Sequence, residues 1–248
     1  SWGTHILAHS GQKGTGMFNA KSLLDTVMGS LNEATGPGGV KGLTDKAREN
    51  WDSQSTLTKG ALAGGLLGIL LTGGGRKLLG TGVKIGGAAL IGGLAYKAYE
   101  DWKAGKSVAK ADGPVALPNP AGTVFLPANA EAADDLSTRL LQAMIAAAKA
   151  DGHITPDERA RIDAQLGNLG LGREATAMIG AELDKPLDVG RVAGLARGEE
   201  EAAEIYAASL LVVDSKGDAE KHYLAELAAR LKLDAGLVSH LHARAAEI

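Results

Sequence analysis

Residues 131–152 read EAADDLSTRLLQAMIAAAKADG. Their apolar members decide the fold. Leu136, Leu140, Leu141, Met144, Ile145 and Ala148 return at three- and four-residue steps, the single stripe of a helix that buries one face. Asp151-Gly152 ends that stripe, because glycine terminates helices readily. The same spacing then repeats to the end of the chain and predicts helices at about 155–168, 172–184, 188–197, 199–214, 218–232 and 234–247, joined by short connections. No segment alternates with the two-residue period of a strand, so the fold class is all-α, with a compact multi-helix domain over residues 131–248.

An internal echo runs through this domain. With Glu158 placed on Glu220, apolar residues coincide at Ile162 and Leu224, Leu169 and Leu231, and Leu171 and Leu233, while Asp151 and Asp214 precede the two copies. The echo predicts two helix-loop-helix halves about a pseudo-twofold axis, each with carboxylates at its bend.

Upstream the material changes. Pro114, Pro118, Pro120 and Pro127 fall within residues 111–130, which disfavours helix and predicts an extended connector. With the charged stretch before it, this gives a linker over 97–130. Glycine, 35 residues in all, is concentrated further upstream, and aromatics are only 4% of the chain, so one large conventional core over all 248 residues is excluded. Gly60 to Gly75 reads GALAGGLLGILLTGGG without a charge, and a second apolar run extends from Leu78 to Tyr96, broken only by Lys84. Both runs fall near or below the roughly 20 residues that cross a bilayer core. With Arg76 and Lys77 at the turn they predict a glycine-zipper helical hairpin over 60–96. Gly60, Gly64 and Gly68 lie four apart, as do Gly82 and Gly86, and Ala88/Gly92 and Ala89/Gly93 continue the small-residue rows that let helices pack closely inside a membrane or an oligomer.

The hairpin is flanked by Lys41, Lys46, Arg48 and Lys59 on one side and by Lys97, Lys103, Lys106 and Lys110 on the other, against two cations at the turn. The positive-inside rule therefore places both termini in the cytoplasm. Before the hairpin, Phe18, Leu23, Leu24, Val27, Met28 and Leu31 predict an amphipathic helix in the 17–59 segment, for a core, a partner or a membrane surface. Residues 1–16 lack that patterning and read as an extension, one possible origin being the expression vector; His5 and His9 within it are set aside as ligands.

Several function classes are excluded. Net charge is −3 with no Lys/Arg run, so there is no footprint for nucleic acid. Cysteine is absent, which removes thiol nucleophiles, thiolate metal sites and disulfides. Ser209 and Thr138 lie outside any G-x-S-x-G context, and the glycines before Arg76-Lys77 lack phosphate-loop spacing. His153, His222, His240 and His242 show no zinc-binding spacing and read as solvated side chains. The expectation is a protein that is not an enzyme.

Three segments, AKADGHITPDERARI at 148–162, AEIYAASLLVVD at 203–214 and EKHYLAELAARLKL at 220–233, resemble the TerB-like (tellurite-resistance-associated) helical domain. Within that group the chain resembles the YebE-like family of uncharacterised bacterial inner-membrane proteins, which fits the glycine-rich segment ahead of the domain. The resemblance implies an all-helical fold and a membrane or envelope-stress setting, with no reaction to carry over. Wider relatives are linked to metal binding through acidic residues, which implies Asp151, Glu158 and Asp214, with Asp218 and Glu220 beside them, as ligands for a divalent cation such as calcium or zinc. The residues themselves allow two readings. Asp151 to Glu158 matches the second half of a calcium loop, but the first half would fall on Ala147 and Lys149 and excludes a complete EF-hand. Thr155, Pro156, Asp157 and Glu158 also form a helix cap, and Gly217 and Asp218 read as the stop of one helix and the cap of the next.

The expected function is that of a membrane-anchored bacterial protein of the inner membrane. Its hairpin, through Gly60, Gly64, Gly68, Gly82, Gly86, Gly92 and Gly93, anchors or oligomerises the chain among lipids, while the TerB-like domain binds a protein partner or an ion on the cytoplasmic side. The alternative is a soluble self-assembling scaffold whose hairpin forms a core between subunits.

Overall fold

The computed structural model describes residues 19–25, 87–108, 116–150, 154–169, 173–213 and 217–246. Gly60, Gly64, Gly68, Gly82 and Gly86, with the turn at Arg76-Lys77, lie outside the described residues, as do Asp151 and Asp214. The described residues are helical: α1 (residues 20–25), α2 (Gly87–Lys103), α3 (Ala130–Ala147), α4 (Pro156–Leu169), α5 (Arg173–Asp184), α6 (Val189–Ala193), α7 (Glu199–Val212), α8 (Asp218–Arg230) and α9 (Ala235–Ala245). The expected C-terminal helices are all present, most with their ends within a residue or two. α6 is shorter, because Gly194 closes it early, its N–H bonding to the Gly190 carbonyl at 3.0 Å.

Helix α7 is the axis of the fold. Ala202 through Leu210 are buried without a break, so it has no solvent face and must be enclosed all round. α3, α2, α9, α8 and α6 enclose it. One of those walls, α2, starts inside the segment predicted as the second arm of the hairpin and runs past Tyr96 to Lys103. Leu90, Ile91, Leu94, Ala95 and Ala98 join the same core as Leu140, Met144, Ile205 and Leu241. The arm predicted over 78–96 is therefore not a free membrane span: from Gly87 onward it packs on α7 and α9. Among the described residues no helix is long and apolar enough to cross a membrane.

The proline-rich connector also differs from its extended prediction. Residues 116–126 close on themselves: the Gly122 N–H donates to the Leu126 carbonyl at 2.9 Å and the Thr123 hydroxyl to the Pro120 carbonyl at 2.6 Å, with Gly122 in the left-handed region. This turn rests on α2. Phe125 stacks on Tyr96 with ring centroids 5.2 Å apart and meets Tyr99 edge-on at 5.7 Å. Gly92 and Gly93, predicted for helix packing in a membrane or oligomer, face the turn. A Cβ on Gly92 would stand 2.6 Å from the Phe125 carbonyl oxygen, and one on Gly93 2.9 Å from that of Pro118.

Three of the lysines counted for membrane orientation, Lys97, Lys103 and Lys106, are also in use; the other cations counted lie outside the described residues. Asp101, 3% exposed, binds Lys97 at 2.5 Å and Lys106 at 3.0 Å and lies 3.8 Å from Arg244 of α9. Burial alone would raise its pKa, but hydrogen bonds from the two lysines hold it below the ordinary carboxyl value. Lys103 lies over the Tyr99 and Trp102 rings. His240 is buried, not solvated, and its Nε2 pairs with the Lys106 carbonyl at 3.0 Å, fixing the end of α2 to α9.

Gly92→Ala should destabilise the domain by about 1–3 kcal/mol, because the Phe125 carbonyl is backbone and cannot swing aside. Urea unfolding followed by circular dichroism measures this; an unchanged midpoint would remove the tight seat of the turn.

Candidate functional site

The place where most elements meet beside the glycine-rich segment is the junction of α1, α2 and α3. Two carboxylates build it. Asp25, the last described residue of α1, accepts the Ala88 N–H at 3.0 Å and so satisfies a donor in the buried first turn of α2. Asp134, on α3, accepts the Lys21 N–H at 3.0 Å and does the same for α1, helped by Asn19, which accepts the Ser22 N–H at 2.7 Å. Each helix start is thus satisfied by an acid from another element. A carboxylate suits this position because the unpaired N–H groups and the helix dipole both favour negative charge. Lys21 balances Asp25 at 2.8 Å.

Apolar burial holds the junction in place. Ala20, Leu23 and Leu24 are buried against the core of the helical domain. Of the three uses open to the predicted amphipathic face, this part serves a core; Phe18, Val27, Met28 and Leu31 lie outside the described residues. As a consequence, residues 25 and 88, on either side of a segment that contains Gly60–Gly75, are one hydrogen bond apart.

The predicted acidic ligands are placed less closely. Asp218 and Glu220 stand in the first turn of α8, where Asp218 is fully exposed and pairs with Lys221 at 3.8 Å. Gly217, not Asp218, occupies the N-cap, and α7 has already ended at Val212, so glycine starts one helix and does not stop the other. Glu220 folds back over Gly217. Glu158 lies in α4, whose start agrees with the capping reading: Pro156 is the first helical residue and the Thr155 carbonyl accepts the Arg159 N–H at 2.9 Å. The Glu158 side chain lies outside the described residues. Among the described residues no three carboxylates or histidines gather as metal ligands.

Sequence reasoning missed the most unusual carboxyl. Glu204, in the middle of α7, is fully buried and neither oxygen has a hydrogen-bond partner among the described residues. Burial, reinforced by Glu201 and opposed by Arg139, pushes its pKa up to about 9. It is therefore neutral at pH 7. The signal lay in the sequence: Glu204 stands alone in AAEIYAASLLVV, an acid inside an otherwise uncharged run. Its neighbour Glu201 behaves oppositely. Although burial would raise it, the Arg139 guanidinium and the Arg197 N–H hold it below the ordinary value.

Residues 56–245 match a family described as "Protein of unknown function (DUF533)". This chain belongs to that family. DUF533 is TerB-like, and its match takes in the glycine-rich stretch together with all the helices from α2 to α9. A relative from Yersinia enterocolitica, named "Uncharacterized protein in ampR 5'region", is 35% identical over 100 residues, covering 40% of this chain and 72% of that protein. No solved structure matches the chain. The DUF533 match begins upstream of α2, in agreement with a domain that includes more than residues 131–248.

Glu204 gives the DUF533 domain a pH signature. The unfolded chain releases this proton above about 4.5, whereas the folded domain keeps it to about 9. Between those values the unfolded state binds fewer protons, so this group lowers stability as pH rises, by up to about 1.4 kcal/mol per pH unit. Glu204→Gln removes that slope, and its advantage over the native protein should grow from pH 5 to pH 9 in thermal melts. A constant difference across that range would show that Glu204 is charged in the folded domain.

Proposed function

We propose that this DUF533 protein is a non-enzymatic, membrane-anchored bacterial protein of the YebE-like kind, with the helical domain on the cytoplasmic side as an interaction or ion-sensing module. The observation that carries the reading is the Asp25–Ala88 hydrogen bond. It joins residue 25, well ahead of the glycine-rich stretch, to residue 88, inside the second apolar run, so the chain that contains the stretch leaves and rejoins the domain at one place, as suits an anchor. Because residues 87–96 are committed to the core, insertion falls to Gly60–Gly75 and Leu78–Gly86. Stretches this short suit a re-entrant or interfacial seat better than two complete crossings. Ion sensing would use Asp151, Glu158, Asp214, Asp218 and Glu220, and a rise in melting temperature with calcium or zinc is its readout; an unchanged melt contradicts that role.

A second reading is a soluble scaffold that assembles through the same stretch; Gly92 and Gly93, near its end, already admit backbone of their own chain, so assembly would fall to the glycines before them. Carbonate extraction of membranes from cells expressing the full chain separates the readings. The anchored protein stays in the pellet, and deletion of residues 60–75 releases it. Recovery of the intact chain in the supernatant overturns anchoring, and recovery there as a defined particle assigns the scaffold.

A further inference from the structure

A cleft of about 550 Å³ opens between the start of α4 and the end of α5, away from the α1–α2–α3 junction. Its size falls within the range of small-molecule sites. The floor is Lys149, 5% exposed, whose Nζ donates to the carbonyls of Glu182 at 3.0 Å, Leu183 at 3.4 Å and Lys185 at 2.5 Å. These are end carbonyls of α5, so a cation there suits the negative end of the helix dipole. Lys149 has no carboxylate partner among the described residues. Burial lowers its pKa, with Glu182 and Asp184 acting against that and Arg191 and Lys185 with it. Glu182 is itself held between Lys185 at 2.8 Å and Arg191.

The rim adds Arg159 and Lys185. Arg159 pairs with Asp163 at 3.0 Å and with Asp184, carboxylates whose side chains are 51% and 68% exposed and can turn to solvent at little cost. The lining also includes the apolar Ile154, Leu183, Pro186 and Leu187. Leu187 is 39% exposed, one of few large apolar side chains left open to solvent among the described residues. A lining that combines Arg159 and Lys185 with apolar side chains, Leu187 among them partly uncovered, complements a molecule with an anionic head and a short apolar tail.

We propose that this cleft binds a monoanionic amphiphile of the medium-chain carboxylate class. The carboxylate takes the place of Asp184 on Arg159, beside Lys185 and near Lys149, whose ammonium stays on the carbonyls of α5. The tail lies on Leu187, Pro186 and Ile154. Displacing an exposed intramolecular carboxylate costs little, while a guanidinium–carboxylate pair adds charge-assisted, paired hydrogen bonds.

Isothermal titration of the full chain with sodium octanoate tests this, with acetate supplying the head alone and 1-octanol the tail alone. Octanoate should bind saturably at one site, and acetate and octanol at least about tenfold more weakly. Arg159→Gln should weaken octanoate about ten- to hundredfold, the loss expected for one charge-assisted hydrogen bond. Lys185→Gln and Leu187→Ser, both at exposed positions, should weaken it severalfold, with thermal melts confirming that each variant is folded. Equal binding of octanol and octanoate, unsaturable uptake, or native affinity in Lys185→Gln and Leu187→Ser would overturn the proposal.

Discussion

The complete enclosure of helix α7 governs the rest of the structure. A helix buried from Ala202 through Leu210 has no side to give to water, and the helices of the C-terminal half do not close around it alone. α2 supplies the missing wall and brings with it the turn at 116–126 and the cap from Asp25. The helical domain thus reaches upstream of residue 131 to take in α2, with α1 clamped on from further upstream. At least residues 87–96 of the second apolar run belong to it.

The junction of α1, α2 and α3 shows how little is needed to bring distant parts of a chain together. Leu23 and Leu24 provide the burial, and two carboxylates satisfy two helix starts that would otherwise lose hydrogen bonds in a partly buried setting. At the opposite polarity, Lys149 performs the matching task for the end of α5. Acidic groups at helix starts and a cation at a helix end account for several of the charged residues that a packed helical core would otherwise exclude.

Much of this was legible in the sequence. The stripe from Leu136 to Ala148 and its successors located the C-terminal helices, and Thr155-Pro156 located the start of α4. The glycine-rich arm was misjudged because composition does not distinguish a helix that meets lipid from one that meets protein. Gly92 and Gly93 were read as places where helices pack closely, whereas what stands against them is the backbone of Phe125 and Pro118. A clue was present in Tyr96, Tyr99 and Trp102, which keep helical spacing beyond the apolar run and carry α2 to Lys103. Pairings across long separations, such as Asp25 with Ala88 or His240 with Lys106, leave no periodic trace in one sequence. Glu204 left a local one, a lone acid in an apolar run.

Native-state hydrogen exchange of the full chain tests most directly whether α2 belongs to the helical domain. Amides of Leu90 through Ala98 should open only with the global unfolding that exposes Ala203 through Leu210, with matching exchange free energies and matching denaturant dependence. Rapid exchange across α2 while α7 stays protected would contradict a domain that takes in α2, and would return this helix to the glycine-rich segment.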